Sequence, residues 1–426
     1  MTHTPLKVFI IGYVWPELQS SAAGLRSWNL IQSFQEAGWS VAFACAAKKN
    51  SFTAILEEKG VQTIPIELNH SSFDIIVKNF NPNFVVFDRF ITEEQFGWRI
   101  QEHCPKAIRI LDTQDLHFLR RTREKAIKAQ SNSLFEFEPF HLCSPPSEDV
   151  LREISSIYRC DATLVLSSFE FQLLTETFKI PQNFIHLSRF HYPRPPDSPG
   201  FHERENFIFI GNFRHPPNLD GIQWLRRSIW PVIYQKLPKA QVFIYGAYPP
   251  KIMMKLTEPN IGFHVEGFTP DQFQVLKKHR VNLAPLRFGA GIKGKITDGW
   301  WAGLPVITTP IGAEGMADEL PWGGDISTEA QDFAEKAVQL YTDELQWRDA
   351  QSRGFEILRS FYDHSVNSKA LILYLLKLKD QLEERRKSNL IGSILNFHTH
   401  RSTKYFSQWI EEKSKRLKML SLPAQF

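Results

Sequence analysis

Short apolar runs alternate with longer amphipathic segments along most of the chain. Runs with the length and composition of buried strands recur before residue 170, at Val8–Ile11, Val41–Ala44, Phe84–Phe87, Ile108–Leu111 and Leu164–Leu166. The alternation resumes after residue 200, at Phe207–Ile210, Val242–Tyr245, Phe263–Val265, Val281–Ala284 and Val306–Thr309. Strands that alternate with helix-length segments are typical of parallel sheets covered by helices. The pattern therefore predicts an α/β protein with two successive doubly wound domains.

A proline-rich segment separates the two sets of strands. Tyr192–Gly200 holds four prolines in nine residues, which favours a stiff, extended linker. We expect domains over residues 1–191 and 201–354 on either side of it, helices over 355–390 and a basic tail over 391–426. Ligands of such folds bind outside the carboxyl ends of the strands, so we expect a cleft between the two sheets.

The first connecting helix has clear start and stop signals. Ser20 or Ser21 is a suitable N-cap and Gly38 a suitable end. Between them, apolar residues recur three apart along one face, at Leu25, Trp28, Ile31 and Phe34.

Charge is unevenly distributed along the 426 residues. The net charge is +4, yet eleven Lys and Arg against five Asp and Glu from Lys377 onward leave the rest of the chain slightly acidic. A basic end beside a near-neutral body argues against a general nucleic-acid binder. It favours a local contact with an anionic surface such as a membrane, to which Arg120–Lys128 and Arg385–Lys387 would add. A solvated helix face is the simpler alternative.

Cysteine usage and hydropathy indicate a soluble protein. The four cysteines, Cys45, Cys104, Cys143 and Cys160, form no Cys-x-x-Cys pair and no metal-type cluster with histidine, which favours a reducing, cytoplasmic compartment. No apolar run approaches the ~20 residues of a membrane span. We expect a cytoplasmic protein, with peripheral membrane contact left open.

A glycine-rich loop followed by a short helix carries the clearest chemistry. Gly289, Gly291 and Gly294 allow the backbone N–H groups to approach an anion, and Lys293 and Lys295 add positive charge. The helix, roughly Lys295–Ala302, would direct its positive end at the same anion, and Asp298 would lie one turn further on, within reach of ribose hydroxyls. The alternative is a loop of tight turns with solvated lysines.

The stretch Phe288–Met316 resembles the donor-binding signature of GT-B glycosyltransferases of the group 1, or family 4, type. Members of that family bind nucleotide-diphosphate sugars at this place. The resemblance covers most of residues 5–375 and implies two facing Rossmann-like domains, a C-terminal helix that returns to the N-terminal domain, and retention of anomeric configuration.

Two further positions compare with the family's donor site. Arg214 follows the strand Phe207–Ile210 and matches an arginine that stabilises the departing diphosphate in relatives, whereas their lysine five residues later is replaced by Leu219. Asp298 matches the second acid of the family's paired-glutamate motif, but the first acid is replaced by Ala290. Glu314 is either a substitute ligand or a helix cap, and we favour the cap.

Candidates in the first half are less specific. Asp112, Asp115 and His117 lie where a strand passes into a helix, so Asp115 or His117 could contact a sugar or act as a base. Ser21, Gly24 and Arg26 correspond to the family's acceptor-side loop. Arg26 would meet an acceptor phosphate or remain a solvated helix charge.

The prediction is a glycosyltransferase that moves a sugar from a nucleotide-diphosphate sugar to a hydroxyl acceptor, a glycan or glycolipid. The chain has no Asp-x-Asp pair, so we expect no metal and no cofactor, with Arg214 and the lysines neutralising the leaving group. The alternatives are a catalytically silent module that binds nucleotide sugar or glycan as a scaffold, which Ala290 favours, and a nucleotide-sugar epimerase.

Overall fold

The computed structural model describes residues 5–18, 21–129 and 146–420. In this part of the chain two open, parallel sheets are covered by helices on both faces. The first sheet has the order β3-β2-β1-β4-β5-β6-β7, with strands β1 Lys7–Gly12, β2 Ser40–Cys45, β3 Gln62–Pro65, β4 Phe84–Asp88, β5 Ile108–Asp112, β6 Ala162–Val165 and β7 Ile185–Leu187.

The second sheet has six strands in the order β10-β9-β8-β11-β12-β13. They are β8 Glu205–Ile210, β9 Val242–Tyr245, β10 Phe263–Gly267, β11 His279–Ala284, β12 Val306–Thr308 and β13 Gly324–Ile326. The strand order reverses beside β1 in one sheet and beside β8 in the other. Each reversal opens a crevice at the carboxyl ends of the strands.

Helices connect the strands and extend beyond the second sheet. In the first domain they are α1 Ala22–Glu36, α2 Ser51–Glu58, α3 Ser72–Phe80, α4 Arg89–His103, α5 His117–Ala129, α6 Glu148–Arg159 and α7 Ser168–Gln172. Those of the second are α8 Pro216–Trp224, α9 Trp230–Lys236, α10 Lys251–Met254, α11 Gln272–Lys278, α12 Gly294–Trp301, α13 Pro310–Ala313 and α14 Ala330–Thr342. The C-terminal ones are α15 Glu344–Phe361, α16 His364–Asp380, α17 Leu382–Ser388 and α18 Leu390–Leu420.

This architecture confirms the predicted fold class. All ten predicted strands are present with ends shifted by no more than two residues, whereas β3, β7 and β13 were missed. The first helix begins after Ser21, whose hydroxyl accepts a hydrogen bond from the Gly24 amide at 3.0 Å. Ser20, the other candidate cap, lies outside the described residues. Gly38 has a φ of 75° just beyond the helix, as expected of a glycine that ends one.

Apolar side chains fill both faces of each sheet. On one face of the first sheet, Trp39 stacks between Phe34 and Phe84 with interplanar angles of 5°. In the second domain, Phe207 contacts the buried Trp230 edge-on. Burial of such aromatic side chains contributes about 1.5–3 kcal/mol each to folding. The two cores therefore fix the strands whose carboxyl ends border the cleft.

The chain crosses back to the first domain between α15 and α16. The backbone of Tyr192 pairs there with that of Tyr362 and His364. Helix α15 packs on α12 of the second domain and α16 on α1 of the first. The predicted boundary after residue 354 falls inside α15, because that helix runs on to Phe361.

Beyond α17 the predicted basic tail is one 31-residue helix, α18, packed on α4 and α6; residues 421–426 lie outside the described part. Cys45, Cys104 and Cys160 are buried free thiols, and Cys143 is not among the described residues. In the described ranges, no helix is both long and apolar enough to cross a membrane.

Candidate active site

A cavity of about 580 Å³ opens between the two domains. Its walls come from the β1–α1 loop and the start of α5 in the first domain, and from the β8–α8 and β11–α12 loops in the second. This volume lies in the range of small-molecule binding pockets. The cleft expected from the sequence therefore exists at the carboxyl ends of the strands.

The glycine-rich loop, residues 288–295, forms the floor of this cavity where the two domains touch. Gly291 has a φ of 64°, which favours glycine. A Cβ added to Gly291 would lie 2.9 Å from the Cβ of Asp115. Only a residue without a side chain allows this approach, so the glycine brings the loop against the first domain.

Helix α12 begins directly after this loop. Gly294 is its first residue, and a Cβ there would lie 3.0 Å from the Cβ of Ala22. Lys293, Gly294 and Lys295 all line the cavity. The first turn of the helix therefore opens into the cavity, and the positive end of the helix dipole favours an anion there.

The two lysines differ in their surroundings. The Lys293 side chain is 8 % exposed, and its Nζ lies 3.4 Å from the carbonyl oxygen of Glu314. Lys295 donates to Oδ1 of Asn218, and its Nζ lies 5.0 Å from the centre of the Phe209 ring. Asn218 precedes the leucine that replaces the lysine of relatives, and it was missed because nothing in the sequence links it to Lys295.

Burial lowers the pKa of both lysines. The pKa of Lys293 falls to about 8, since desolvation outweighs the favourable charge of Glu314. The pKa of Lys295 falls to about 7 through desolvation and the neighbouring Lys293. A bound anion would restore the full charge of both groups.

Arg214 lies at the rim of the cavity, as expected from its place after β8. Its exposed guanidinium stacks 3.6 Å from the centre of the Tyr248 ring. The Tyr248 hydroxyl donates to Glu17 across the cleft at 2.8 Å. Leu219 packs against the core of the second domain, so that position contributes no charge to the cavity.

Asp298 also lines the cavity, in the second turn of α12. Its carboxylate accepts hydrogen bonds from the Tyr192 hydroxyl at 2.7 Å and from Gln272 at 3.2 Å. Burial raises its pKa to about 7. Ala290, which replaces the first acid of the paired motif, is on the cavity wall too.

On the first-domain side, Asp115 and His117 line the same cavity. Asp115 accepts from Arg120 at 2.6 Å, and its other oxygen lies 3.3 Å from Nε2 of His117. Burial raises the pKa of Asp115, but Arg120 and His117 outweigh it and hold that pKa below its usual range. Burial lowers the pKa of His117 to about 4. A carboxylate and a neutral imidazole therefore face the glycine-rich loop at neutral pH.

A buried acid that the sequence did not reveal holds this loop. One oxygen of Glu170, a fully buried residue of α7, accepts from the amides of Leu116 and Gly291, each at 2.9 Å. Burial raises its pKa to about 8. Glu170 thereby ties the second-domain loop to the first domain, a contact between residues too distant in sequence to form a motif.

The expectation for Arg26 is wrong. Its guanidinium is fully buried and forms an ion pair with Asp112 at 2.8 Å, with a further hydrogen bond to Ser188 at 3.1 Å. It is neither solvated nor on the cavity wall. Of the other acceptor-side candidates, Ser21 lines the cavity, whereas Gly24 packs beneath it, where a Cβ would lie 2.2 Å from the carbonyl oxygen of Glu17.

Glu314 occupies a cap position, as favoured from the sequence, but at the C-terminal end of α13, and its side chain has a further partner. Thr309 caps α13 at its start, and the Glu314 carboxylate accepts two hydrogen bonds from Arg123 at 2.7 and 2.9 Å. Arg123 also donates to the Gly289 carbonyl at 2.7 Å. Glu314 is not on the cavity wall. It joins the domains as an ion pair behind the loop.

Comparisons with known proteins agree with this geometry. Residues 204–343 match the family model described as glycosyl transferases group 1. A search of curated proteins gave no match. HepE of Anabaena in complex with UDP is similar with a TM-score of 0.65 and 10% identity, over 87% of this chain and 100% of that one.

Two further solved structures are similar over nearly their whole length. Sucrose-phosphate synthase from Thermosynechococcus elongatus has a TM-score of 0.67 and 13% identity, over 88% of this chain and 99% of that one. The pneumococcal O-GlcNAc transferase GtfA, in complex with UDP and GlcNAc, has a TM-score of 0.66 and 12% identity, over 88% and 99%. Identities this low show the fold alone. The solved structures therefore show that the chain has the GT-B fold, and residues 204–343 are similar to the glycosyl transferases of group 1.

Proposed function

We propose that the chain transfers a sugar from a nucleoside-diphosphate sugar to the hydroxyl group of a glycan or glycolipid, without a metal ion and with retention of anomeric configuration. One observation carries the proposal. The two lysines, Arg214 and the first turn of α12 all face one cavity, with Asp298 a turn behind.

The charge of this group fits a diphosphate leaving group. In the transfer the bond between the anomeric carbon and the phosphate oxygen breaks, and its electron pair leaves with the nucleoside diphosphate. Lys293 and Lys295 would stabilise the charge that develops there, and Arg214 would grip the outer phosphate, provided it leaves the Tyr248 ring. Preorganised cations of this kind perform the task that a metal ion performs elsewhere.

The acceptor side would complete the reaction. The acceptor oxygen forms the new glycosidic bond, and its proton passes to a base. Asp115 and His117 are the candidates, because one is a carboxylate and the other a neutral imidazole at neutral pH. Asp298 would accept hydrogen bonds from the ribose hydroxyls in place of those from Gln272.

UDP is the first nucleotide to test. HepE is described in complex with UDP and with UDP-glucose, and GtfA in complex with UDP and GlcNAc. Those ligands belong to those proteins. We extend these ligands to this chain because it has the same fold and because its lysines and Arg214 face the cavity between the two domains.

A catalytically silent binding module is the second candidate. Ala290 favours it, since a methyl group cannot contact a transferred sugar as an acid does. Such a module would bind the nucleotide and would not break the anomeric bond.

Calorimetry against UDP, GDP, ADP and CMP and their sugar conjugates tests the donor site. We expect one nucleotide to bind the wild type, Lys295→Met to weaken it on the order of 10²-fold, and Lys251→Met, at an exposed lysine outside the cavity, to leave it unchanged. Equal binding by wild type and Lys295→Met would contradict the proposed site. Failure of the folded wild type to bind any of these nucleotides would contradict the donor proposal.

A further inference from the structure

Helix α18 packs with its small and polar residues inward. A Cβ at Gly392 would lie 2.2 Å from the Tyr158 carbonyl oxygen, and Ser407 accepts from Arg99 at 3.4 Å. Glu411 accepts from a serine of the first domain, Ser71, at 2.7 Å. These contacts of the helix with the body are polar and close, and Leu395 and Ile410 are half-buried beside them.

The outward face of the same helix carries the large apolar side chains. Ile391, Tyr405 and Trp409 are 51%, 63% and 56% exposed. Given 3.6 residues per turn, they point away from Gly392, Ser407 and Glu411. Apolar or aromatic residues of α18 that are at least half exposed are Leu390, Ile391, Ile394, Phe397, Tyr405, Phe406, Trp409 and Leu417. Soluble helices normally show the reverse arrangement.

Cations lie among these aromatic side chains. The Arg401 guanidinium lies 4.2 Å from the centre of the Phe397 ring, and the Lys413 ammonium 5.0 Å from that of Trp409. Arg416 is exposed one turn beyond Lys413. Aromatic and cationic side chains that lie side by side are typical of helices that bind at the interface between a membrane and water.

We propose that this outward face of α18 docks on the surface of an anionic lipid bilayer. Charge complementarity favours a bilayer over a second copy of the chain, because two such faces in contact would bring their cations together. The proposal rests on α18 and is independent of the proposed transfer reaction. It would hold the bilayer against the acceptor-side domain, on which α18 packs.

The basic segments expected from the sequence to join this contact are mostly engaged within the protein. Arg120 pairs with Asp115, and Arg121 pairs with Asp149. Arg386 pairs with the buried Asp161 at 2.7 Å. These side chains hold the first domain together, so the membrane contact falls on α18.

Flotation of the full-length protein with vesicles tests the proposal. The vesicles are phosphatidylcholine alone, or phosphatidylcholine and phosphatidylserine in equal parts, each at low and at high salt. We expect the protein to float only with the vesicles that contain phosphatidylserine, and we expect high salt to reduce the fraction that floats. The double variant Tyr405→Ser with Trp409→Ser should lose flotation. The triple variant Arg401→Gln, Lys413→Gln and Arg416→Gln should bind on the order of 10²-fold more weakly.

A matched control is available at two exposed leucines of other C-terminal helices. Leu345 and Leu373 are 80% and 67% exposed, and the double variant Leu345→Ser with Leu373→Ser should float as the wild type does. Binding of a nucleotide by each variant reports on the cleft separately. If the wild type does not float, or if either α18 variant floats as well as the wild type, the proposal is wrong. Dimerisation through α18 in place of flotation would assign the face to a second copy.

Discussion

Nucleotide binding should be accompanied by proton uptake, because the two lysines of the cavity are partly deprotonated in the free protein. Burial lowers the pKa of Lys293 to about 8 and that of Lys295 to about 7. A diphosphate between them would raise both pKa values, since an opposite charge favours the protonated form. Raising the pH through the values of the free protein should therefore weaken binding.

The size of the effect follows from these values. At about pH 8 the free protein would hold roughly half a proton on Lys293 and roughly a tenth on Lys295. Binding at that pH should then take up between one and two protons. If both lysines must be charged in the complex, affinity should fall on the order of 10²- to 10³-fold from about pH 7 to about pH 9.

Calorimetry in buffers with different ionisation enthalpies measures the uptake directly. Lys295→Met should reduce the uptake by about one proton at about pH 8, whereas Lys251→Met should not change it. Asp298 has a pKa of about 7 and would add to the measured proton exchange in the same pH range. The measurements are therefore repeated in the Asp298→Asn variant, in which this carboxylate cannot titrate. Binding without proton uptake, or an affinity independent of pH across this range, would refute the reasoning.

Two further predictions concern residues that hold the site. Asp298→Ala should raise the Kd of the donor nucleotide with little change in kcat, because its carboxylate would bind the ribose; a change confined to kcat would contradict that role. Glu170→Ala should lower the free energy of unfolding by about 1–3 kcal/mol for each of the two amides that it leaves unpaired, whereas Glu170→Gln, which keeps an acceptor, should lower it less. Chemical denaturation measures the free energy of unfolding of both Glu170 variants, and an equal loss of stability in the two would show that the unpaired amides are not the cause.

Much of the fold could be predicted because its signals are local. The strands that were found are continuous apolar runs, and β1 and β8 are among the most regular. The missed strands are short and lie at or near sheet edges, where burial is incomplete: Gln62–Pro65 is polar at its start, and Gly324–Ile326 contains an aspartate. A run of three or four residues carries too little periodicity to be distinguished from a loop.

The site divides in the same way. Lys293, Lys295 and Gly291 could be found because they lie together in one loop. Arg26 was assigned wrongly and the ion pair of Glu314 was missed, since the buried partner of each belongs to a distant part of the chain, Asp112 for one and Arg123 for the other. The Arg26–Asp112 pair forms only when the first domain folds, and the Arg123–Glu314 pair only when the two domains meet, so no pattern in the sequence indicates them.

The most direct test of glycosyl transfer is the release of nucleoside diphosphate from a bound nucleotide sugar in the absence of acceptor. The wild type should hydrolyse the donor slowly, because water can replace the acceptor. Lys295→Ala and Arg214→Ala should each reduce the rate on the order of 10²-fold. Arg227→Ala, at an exposed arginine outside the cavity, should not. A wild type that binds the nucleotide sugar and leaves it intact, with and without candidate acceptors, would contradict the account and favour the silent module.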